Sequence, residues 1–179
     1  MKTFLTLLLA GLCALMLEGV LARVFSPPWC PDLGFLVVVS IGLCLRDLIP
    51  GLFLAYLLGS SVDVLSGSLA GLQALLCVIS FLSAFFAASQ LNLKSTLSLM
   101  AFVASLSFVY GISLFVISSL FVENIDLSWR WVLENSLHAW INGLTVPFVV
   151  EGVERLVAWS GDDDSQERSL YIESPMRPL

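Results

Sequence analysis

The chain has 179 residues, of which 58% are hydrophobic and only 12% are charged, with a formal net charge of −6. A soluble domain carries about 25% charged residues, so this composition excludes an ordinary soluble domain and predicts an all-α polytopic membrane protein. The acidic balance provides no basic patch for phosphates, which excludes nucleic acid as a partner and leaves the lipid bilayer as the surroundings.

The first apolar segment covers residues 4–22 and follows Lys2. About 20 apolar residues cross a bilayer as a helix, so this segment is the first predicted span. It also resembles a secretory signal peptide, because a basic residue precedes the apolar run and a small residue, Ala22, ends it. Glu18 and the lack of an A-x-A cleavage site favour a helix that is retained.

The segment ARVFSPPWCPD, residues 22–32, separates the first two apolar runs. Its three prolines remove backbone donors, so it is predicted to be a loop. Trp29 suits the level of the lipid headgroups. Cys30 also lies in this loop, whereas the other three cysteines lie in apolar runs and are interpreted as small buried hydrophobes.

Residues 33–45 and 48–62 are two apolar runs that are short for full spans. The first would cover only about 20 Å as a helix. Two interpretations remain open: two short helices, or a re-entrant hairpin buried by its neighbours. We prefer two helices, extended at their ends by Asp32, Arg46 and Asp63.

Residues 69–91 and 97–121 predict two full spans, and a last span is predicted from about 136 to 158. The polar segment ENIDLSWRWVLENS precedes this last span, and its two tryptophans suit an interfacial position. Residues 1–160 therefore form a transmembrane domain of about six helices. The tail, 161–179, is acidic and lacks an apolar period, so it is predicted to be disordered.

The distribution of basic residues predicts the orientation in the membrane. With the N-terminus in the cytoplasm, the inner side holds Lys2, Arg46, Lys94, Arg155, Arg168 and Arg177. The outer side then holds only Arg23 and Arg130. Because cytoplasmic loops carry the excess of lysine and arginine, we expect both termini to be cytoplasmic.

No catalytic constellation can be found in the sequence. His138 is the only histidine, and no serine lies in a G-x-S-x-G elbow. The sequence has no H-E-x-x-H pattern, no phosphate-binding glycine loop and no recognisable aspartate dyad. We therefore expect no enzyme activity, no metal and no cofactor.

The stretch GSSVDVLSGSLAG, residues 59–71, places a carboxylate among residues with small side chains. Residues four apart share one stripe of a helix, and this stripe would contain Gly51, Ala55, Gly59, Asp63, Gly67 and Gly71. Small residues on such a stripe let two helices approach closely in lipid. We expect the stripe to be helical from 51 to 63 and a turn to follow residue 65. The carboxylate is then either a functional site or a cap for that turn.

Two motifs resemble the MreD family, a group of small integral membrane proteins of the bacterial cell-elongation machinery. The first is PDLGFLVVV, which begins with Pro31 and Asp32. The second is RDLIPGLFLAYLLGSSVDVLSGSLAGLQALL, in which Gly59, Asp63, Gly67 and Gly71 occupy the positions typical of the family. These motifs cover residues 31–76, and elsewhere the resemblance is one of length and hydropathy.

The resemblance implies a non-enzymatic subunit of the bacterial inner membrane. Members of the family bind MreC and act with MreB, RodA and a class B penicillin-binding protein in lateral peptidoglycan synthesis and cell shape maintenance. The family fold is thought to be similar to the S-components of ECF vitamin transporters. The alternative is therefore an S-component-like subunit whose ligand pocket would be lined by Trp129, Trp131, His138 and Asn142.

Overall fold

A computed structural model describes residues 2–24, 29–45, 47–67, 71–90, 95–121 and 128–160 of the chain. These residues form six α-helices and no strand. In chain order the helices are α1 (Lys2–Val24), α2 (Leu33–Cys44), α3 (Leu48–Ser66), α4 (Leu72–Gln90), α5 (Thr96–Phe121) and α6 (Trp129–Trp159). The prediction of an all-α protein is confirmed for this part of the chain.

Four of the helices, α1, α3, α4 and α5, are long and apolar enough to cross a membrane. Their large apolar side chains also cover much of the outer surface, as at Ile49 and Val64, which are 79% and 83% exposed. Such extended apolar surface is unfavourable in water and suits the hydrocarbon of a bilayer. The length, composition and surface of these helices are those of a membrane protein.

Helix α2 differs from these four because it is short and enclosed by protein. It has 12 residues, and positions 34–42 are all buried. Its length is about 18 Å, well below the ~30 Å of a bilayer core. Residues 33–62 therefore contain the two predicted helices, but these are unequal: α2 is short and buried, whereas α3 continues to Ser66 and has 19 residues.

The core lies around α2. On one side, Val38 and Ile41 pack with Leu7 of α1, Leu54 of α3 and Phe81 of α4. On the other side, a second cluster contains Phe35, Leu36 and Val39 of α2, together with Ala84, Val103 and Val146 from α4, α5 and α6. The enclosure of α2 by all five other helices explains why an uninterrupted apolar run can be so short.

The last helix begins earlier than the sequence predicts. Ser128 caps α6, and its hydroxyl accepts a hydrogen bond from the amide of Arg130 at 3.1 Å. The side chains of Arg130 and Glu134 form an exposed ion pair one turn apart, at 2.9 Å. Arg130 and Glu134 thus lie on an exposed face of a helix, and α6 continues through Pro147 to Trp159.

The start of α1 and the end of α6 lie side by side. The hydroxyl of Ser160 donates a hydrogen bond to the hydroxyl of Thr3 at 3.0 Å. The two ends of the helical domain are therefore at the same end of the bundle. Arg46 and Lys94, which the orientation argument used, and the acidic tail at 161–179 lie outside the described residues.

Helix α2 begins well inside the bundle. The amide of Asp32, just before α2, donates to Asn142 of α6 at 2.9 Å. Asn142 follows the first residue of α6 by 13 residues, which corresponds to about 20 Å of helix. The first half of α6 and the last half of α5 therefore extend beyond α2, and space is left above the N-terminus of the short helix.

Candidate functional site

The carboxylate of Asp63 closes the N-terminus of α4. One oxygen accepts hydrogen bonds from the amides of Gly71 and Ala74 at 3.0 and 3.1 Å. The other oxygen accepts from the amide of Gln73 at 2.9 Å. The first amides of a helix have no partner within the helix and carry a partial positive charge, so a buried carboxylate is a strong cap there. Among the two sequence interpretations of Asp63, these contacts correspond to the cap.

Gly67 and Gly71 shape the turn that brings Asp63 to α4. Gly67 ends α3 in the left-handed conformation with φ of 61°, and its amide donates to the carbonyl of Asp63 at 3.1 Å. Gly71 has φ of 89°. Residues with a Cβ atom rarely adopt either conformation, which explains the choice of glycine at both positions. The turn starts after residue 66, close to the predicted position.

The stripe of small residues on α3 packs against α4. A Cβ atom at Gly59 would lie 2.6 Å from the Cα atom of Ala74 and 2.9 Å from the carbonyl oxygen of Gln73. A Cβ atom at Gly51 would overlap the ring of Phe81. The stripe is therefore filled from within the chain, and its close contact is with backbone at the start of α4.

Asp32 caps the N-terminus of α2 in a different way. One of its carboxylate oxygens accepts from the amide of Phe35 at 2.8 Å. Its own amide is held by Asn142, whose side-chain nitrogen donates to the hydroxyl of Ser107 at 2.8 Å. Pro31 lies immediately before the cap and is half-buried. The chain Asp32–Asn142–Ser107 thus joins the start of α2 to α6 and α5.

A second carboxylate, that of Glu18 on α1, also lies at the first turn of α2. It accepts from the amide of Gly34 at 3.0 Å. The loop residue Cys30 lies close to both acids. Partial burial raises the pKa of its thiol, and the charges of Glu18 and Asp32 raise that pKa further. Two acidic groups therefore share a helix end whose partial charge is only about +0.5.

A cavity of about 440 Å³ lies above this end of α2, between α4, α5 and α6. This volume is within the range of about 300–1,000 Å³ that is usual for small-molecule sites. The described residues that line it are Asp32, Leu72, Gln73, Ser107, Tyr110, Gly111, Leu114, Phe115, Ser118, Trp131, Asn135 and His138. The wall therefore combines an acid, several neutral polar groups and three aromatic rings.

Two polar side-chain atoms on this wall make no hydrogen bond to the described residues. Tyr110 donates to the side-chain oxygen of Gln73, and the nitrogen of that amide makes no hydrogen bond to the described residues. The second carboxylate oxygen of Asp32 likewise accepts none from them. Within the same residues, no buried side-chain nitrogen or oxygen lacks a partner, so these two atoms retain some accessible surface.

The structure brings the predicted residues together in two groups at the same end of the bundle. Pro31 and Asp32 lie at the start of α2, whereas Gly59, Asp63, Gly67 and Gly71 surround the start of α4. Gly51 lies apart from both, beside Phe81. Gln73 connects the second group to the cavity wall, since its amide donates to Asp63 and its side chain accepts from Tyr110.

The four residues that the sequence suggested for a ligand pocket occupy different positions in the structure. Trp131 and His138 line the cavity, and Asn142 is buried beneath it as the support for Asp32. Trp129 is 75% exposed and is not on the wall. The sequence reasoning missed Glu18, Gln73, Ser107 and Tyr110 as partners in this region.

The described residues contain no group of three or more histidine, cysteine, aspartate or glutamate side chains arranged to hold a metal ion. The site they do form is a polar, partly aromatic cavity beside two capped helix ends. Such an arrangement can hold a small molecule or keep a rigid surface in place for a protein partner.

No family model, curated protein or solved structure matches this chain. The resemblance of the two motifs at 31–76 to the MreD family therefore remains a prediction from the sequence.

Proposed function

We propose that the chain is an MreD-like subunit of a bacterial cell-elongation complex. In this role it has no catalytic activity of its own. It binds MreC in the inner membrane and, through MreC, works with MreB, RodA and a class B penicillin-binding protein. The outcome is the support of lateral peptidoglycan synthesis and of rod shape.

The observation that carries the proposal is the position of the motif residues. Asp32 and Asp63 each cap a helix, and Gly59 lets α3 contact the backbone of α4. These residues hold the helices in place instead of facing a reaction centre. A motif with this role suits a protein that presents a fixed surface to partners.

We further propose that all six helices cross or enter the membrane and that both termini are cytoplasmic. The hydrogen bond between Thr3 and Ser160 supports termini on the same side of the membrane. The excess of basic residues at that end, including Lys2 and Arg155, supports the cytoplasmic side.

The packing supports a position for the proposed MreC contact. Because α4 covers the stripe at Gly59, we propose that MreC docks on another surface. Helices α1 and α5 are the least buried of the four apolar helices, with 11% of their most apolar segments buried, against 33% for α3 and 39% for α4. We propose that MreC meets one of these two outer helices.

Co-purification tests the proposal most directly. The tagged full-length protein would be extracted from its native host in mild detergent, and the proteins recovered with it would be identified by mass spectrometry. We expect a bitopic MreC-like protein, with or without the wall synthases. Its absence from repeated extractions, with the tagged protein intact and monodisperse, would contradict the scaffold function.

Photo-crosslinking would then locate the contact. A photoreactive residue would replace Leu9 or Met16 on α1, or Val109 or Val116 on α5, all of which are about half exposed. Buried Ala55 on α3 is the matched control. We expect crosslinks to MreC from one of the two outer helices and none from position 55; a crosslink from position 55 alone would contradict the proposed surface.

The cavity favours a second candidate, an S-component-like subunit that captures a small molecule for an ECF transporter. Its volume and its mixture of aromatic and polar groups are those of a ligand site. The same co-purification distinguishes this function, because it would recover a pair of ABC-type ATPases and a coupling membrane subunit in place of MreC.

A further inference from the structure

Two acidic side chains lie at or beside the cavity above α2. Asp32 is on its wall, and the carboxylate of Glu18 accepts a hydrogen bond from the amide of Gly34 in the first turn of α2. No lysine or arginine is among the described lining residues, and His138 is the one basic side chain there. The N-terminus of α2 contributes only about half a positive charge. When these carboxylates are ionised, their charge favours a cationic ligand over an anionic one.

The upper wall of the cavity is aromatic. The rings of Phe115 and Trp131 lie 4.5 Å apart between centroids, and Tyr110 packs against Phe35 with centroids 4.9 Å apart. The faces of such rings attract ammonium groups, and the attraction grows when water is excluded. A planar ligand ring can also pack against them.

The hydrogen-bonding groups that remain free agree with this charge. The open oxygen of Asp32 can accept from a cationic donor, and the free amide nitrogen of Gln73 can donate to a neutral acceptor such as a hydroxyl. Charged hydrogen bonds of the first kind are about twice as strong as neutral ones. An anionic ligand would instead face the carboxylate.

We propose that this cavity binds a small organic cation, with an ammonium group hydrogen-bonded to Asp32 and a planar ring held against Tyr110, Phe115 and Trp131. A bound metal ion is a poorer occupant, because the described residues offer no set of three metal-binding side chains. This proposal shares one requirement with the S-component-like candidate function, namely that a ligand binds in the cavity.

The test uses the full-length protein in nanodiscs of zwitterionic lipid and three matched probes. Tyramine, tyrosol and 4-hydroxyphenylacetate share a phenol ring and a two-carbon arm, and they end in an ammonium, a hydroxyl and a carboxylate. Saturation-transfer difference NMR would measure binding at millimolar concentration, with empty nanodiscs as the blank. We expect a signal from tyramine at least several-fold stronger than from the other two probes.

Two variants identify the group responsible. Asp32→Asn keeps a side-chain oxygen for the Phe35 amide and removes the charge, so it should abolish the preference for tyramine. Glu134→Gln removes an exposed carboxylate that is not on the cavity wall, so the preference should remain.

Equal signals from the three probes, no signal from any of them, or an unchanged preference in Asp32→Asn would each overturn the proposal. Binding is measured on the isolated protein, whereas the proposed function is tested by its partners. A negative result in the probe-binding experiment would therefore not change the co-purification result. A negative co-purification result would likewise not change the probe-binding result.

Discussion

The N-termini of α2 and α4 are both capped by aspartate, but the two caps differ in how fully they are used. At α4, both oxygens of Asp63 accept hydrogen bonds from the backbone, and the residue is only 7% exposed. At α2, Asp32 gives one oxygen to the Phe35 amide and leaves the other facing a cavity. One end is closed and the other is open.

The difference separates a structural acid from one that is available for binding. Sequence spacing alone does not reveal which of Asp32 and Asp63 has an unused oxygen, since each lies at an end of an apolar helix within four residues of a glycine. The distinction comes from the surroundings: backbone crowds Asp63, whereas the shortness of α2 leaves room above Asp32. Whether an aspartate at the end of a membrane helix is structural or available for binding therefore depends on whether one of its carboxylate oxygens lacks a hydrogen bond.

The largest effect is expected from Asp63→Asn, which breaks the closed end. Asparagine has one acceptor oxygen, so its NH₂ group would face at least one of the backbone amides that the carboxylate now binds. We expect a loss of about 3 kcal/mol in the free energy of unfolding, because a buried donor is left without a partner. Unfolding in mixed detergent micelles, followed by circular dichroism, would measure it.

A loss below about 0.5 kcal/mol would show that the amides of α4 are satisfied without Asp63. This variant is also a poor test of partner binding, since it damages the cap itself.

Gly59→Ala tests the close approach that keeps this end closed. The added methyl group would lie 2.6 Å from the Cα atom of Ala74, and backbone cannot move aside as a flexible side chain can. We expect a loss of about 2 kcal/mol from overpacking in the same unfolding measurement. The control is Gly152→Ala in α6, where nothing lies within 4 Å.

Gly152→Ala should leave stability unchanged or raise it by up to about 1 kcal/mol, because alanine favours a helix. Equal effects of the two substitutions would mean that helix propensity, and not the contact between α3 and α4, decides the outcome at position 59.

Asn142→Leu tests the support of the open end. Leucine would remove the acceptor for the Asp32 amide and the donor to the hydroxyl of Ser107. We expect a loss of about 1.5 kcal/mol, which corresponds to one buried amide without a partner. Thr145→Val is the control, because the Thr145 hydroxyl bonds only to the carbonyl of Ile141 in its own helix. If both variants had equal stability, the link between α2 and α6 would contribute nothing measurable.

The smallest effect on stability is expected from Asp32→Asn, which sharpens the comparison. Asparagine is as good an N-cap as aspartate, and its oxygen can keep the bond to Phe35. We expect a change of less than about 0.5 kcal/mol in the free energy of unfolding. The same exchange of aspartate for asparagine would thus be costly at α4 and nearly silent at α2. A loss at Asp32 as large as that at Asp63 would remove the distinction between the two ends.

The sequence was informative where local pattern determines structure. Apolar runs of about 20 residues placed α1, α4 and α5 to within three residues at each end. The four-residue spacing around Gly59 and Asp63 reflects a real helix face, and Gly67 marks its end. These features depend on helical period and on the special conformation of glycine, which neighbouring residues reveal.

What the sequence missed depends on contacts between distant residues. Glu18 and Gly34 are 16 positions apart, and Asp32 and Asn142 are 110 positions apart, so no local pattern joins them. The early start of α6 had a signal, since Ser128 is a good cap and Arg130 and Glu134 are one turn apart. The predicted start near residue 136 followed hydropathy instead, because the tryptophans and charges of the preceding segment suggested a position at the membrane–water interface.

The burial of α2 has a consequence for biosynthesis. At about 5–20 residues per second, a ribosome needs roughly 5–20 s to add the residues that separate Asp32 from Asn142. During that interval α2 is too short to partition stably into lipid, and the acceptor for its leading amide has not been made. Until α6 emerges, α2 lacks the Asn142 acceptor and its contact with Val146, so its packing is completed only when the last helix is synthesised.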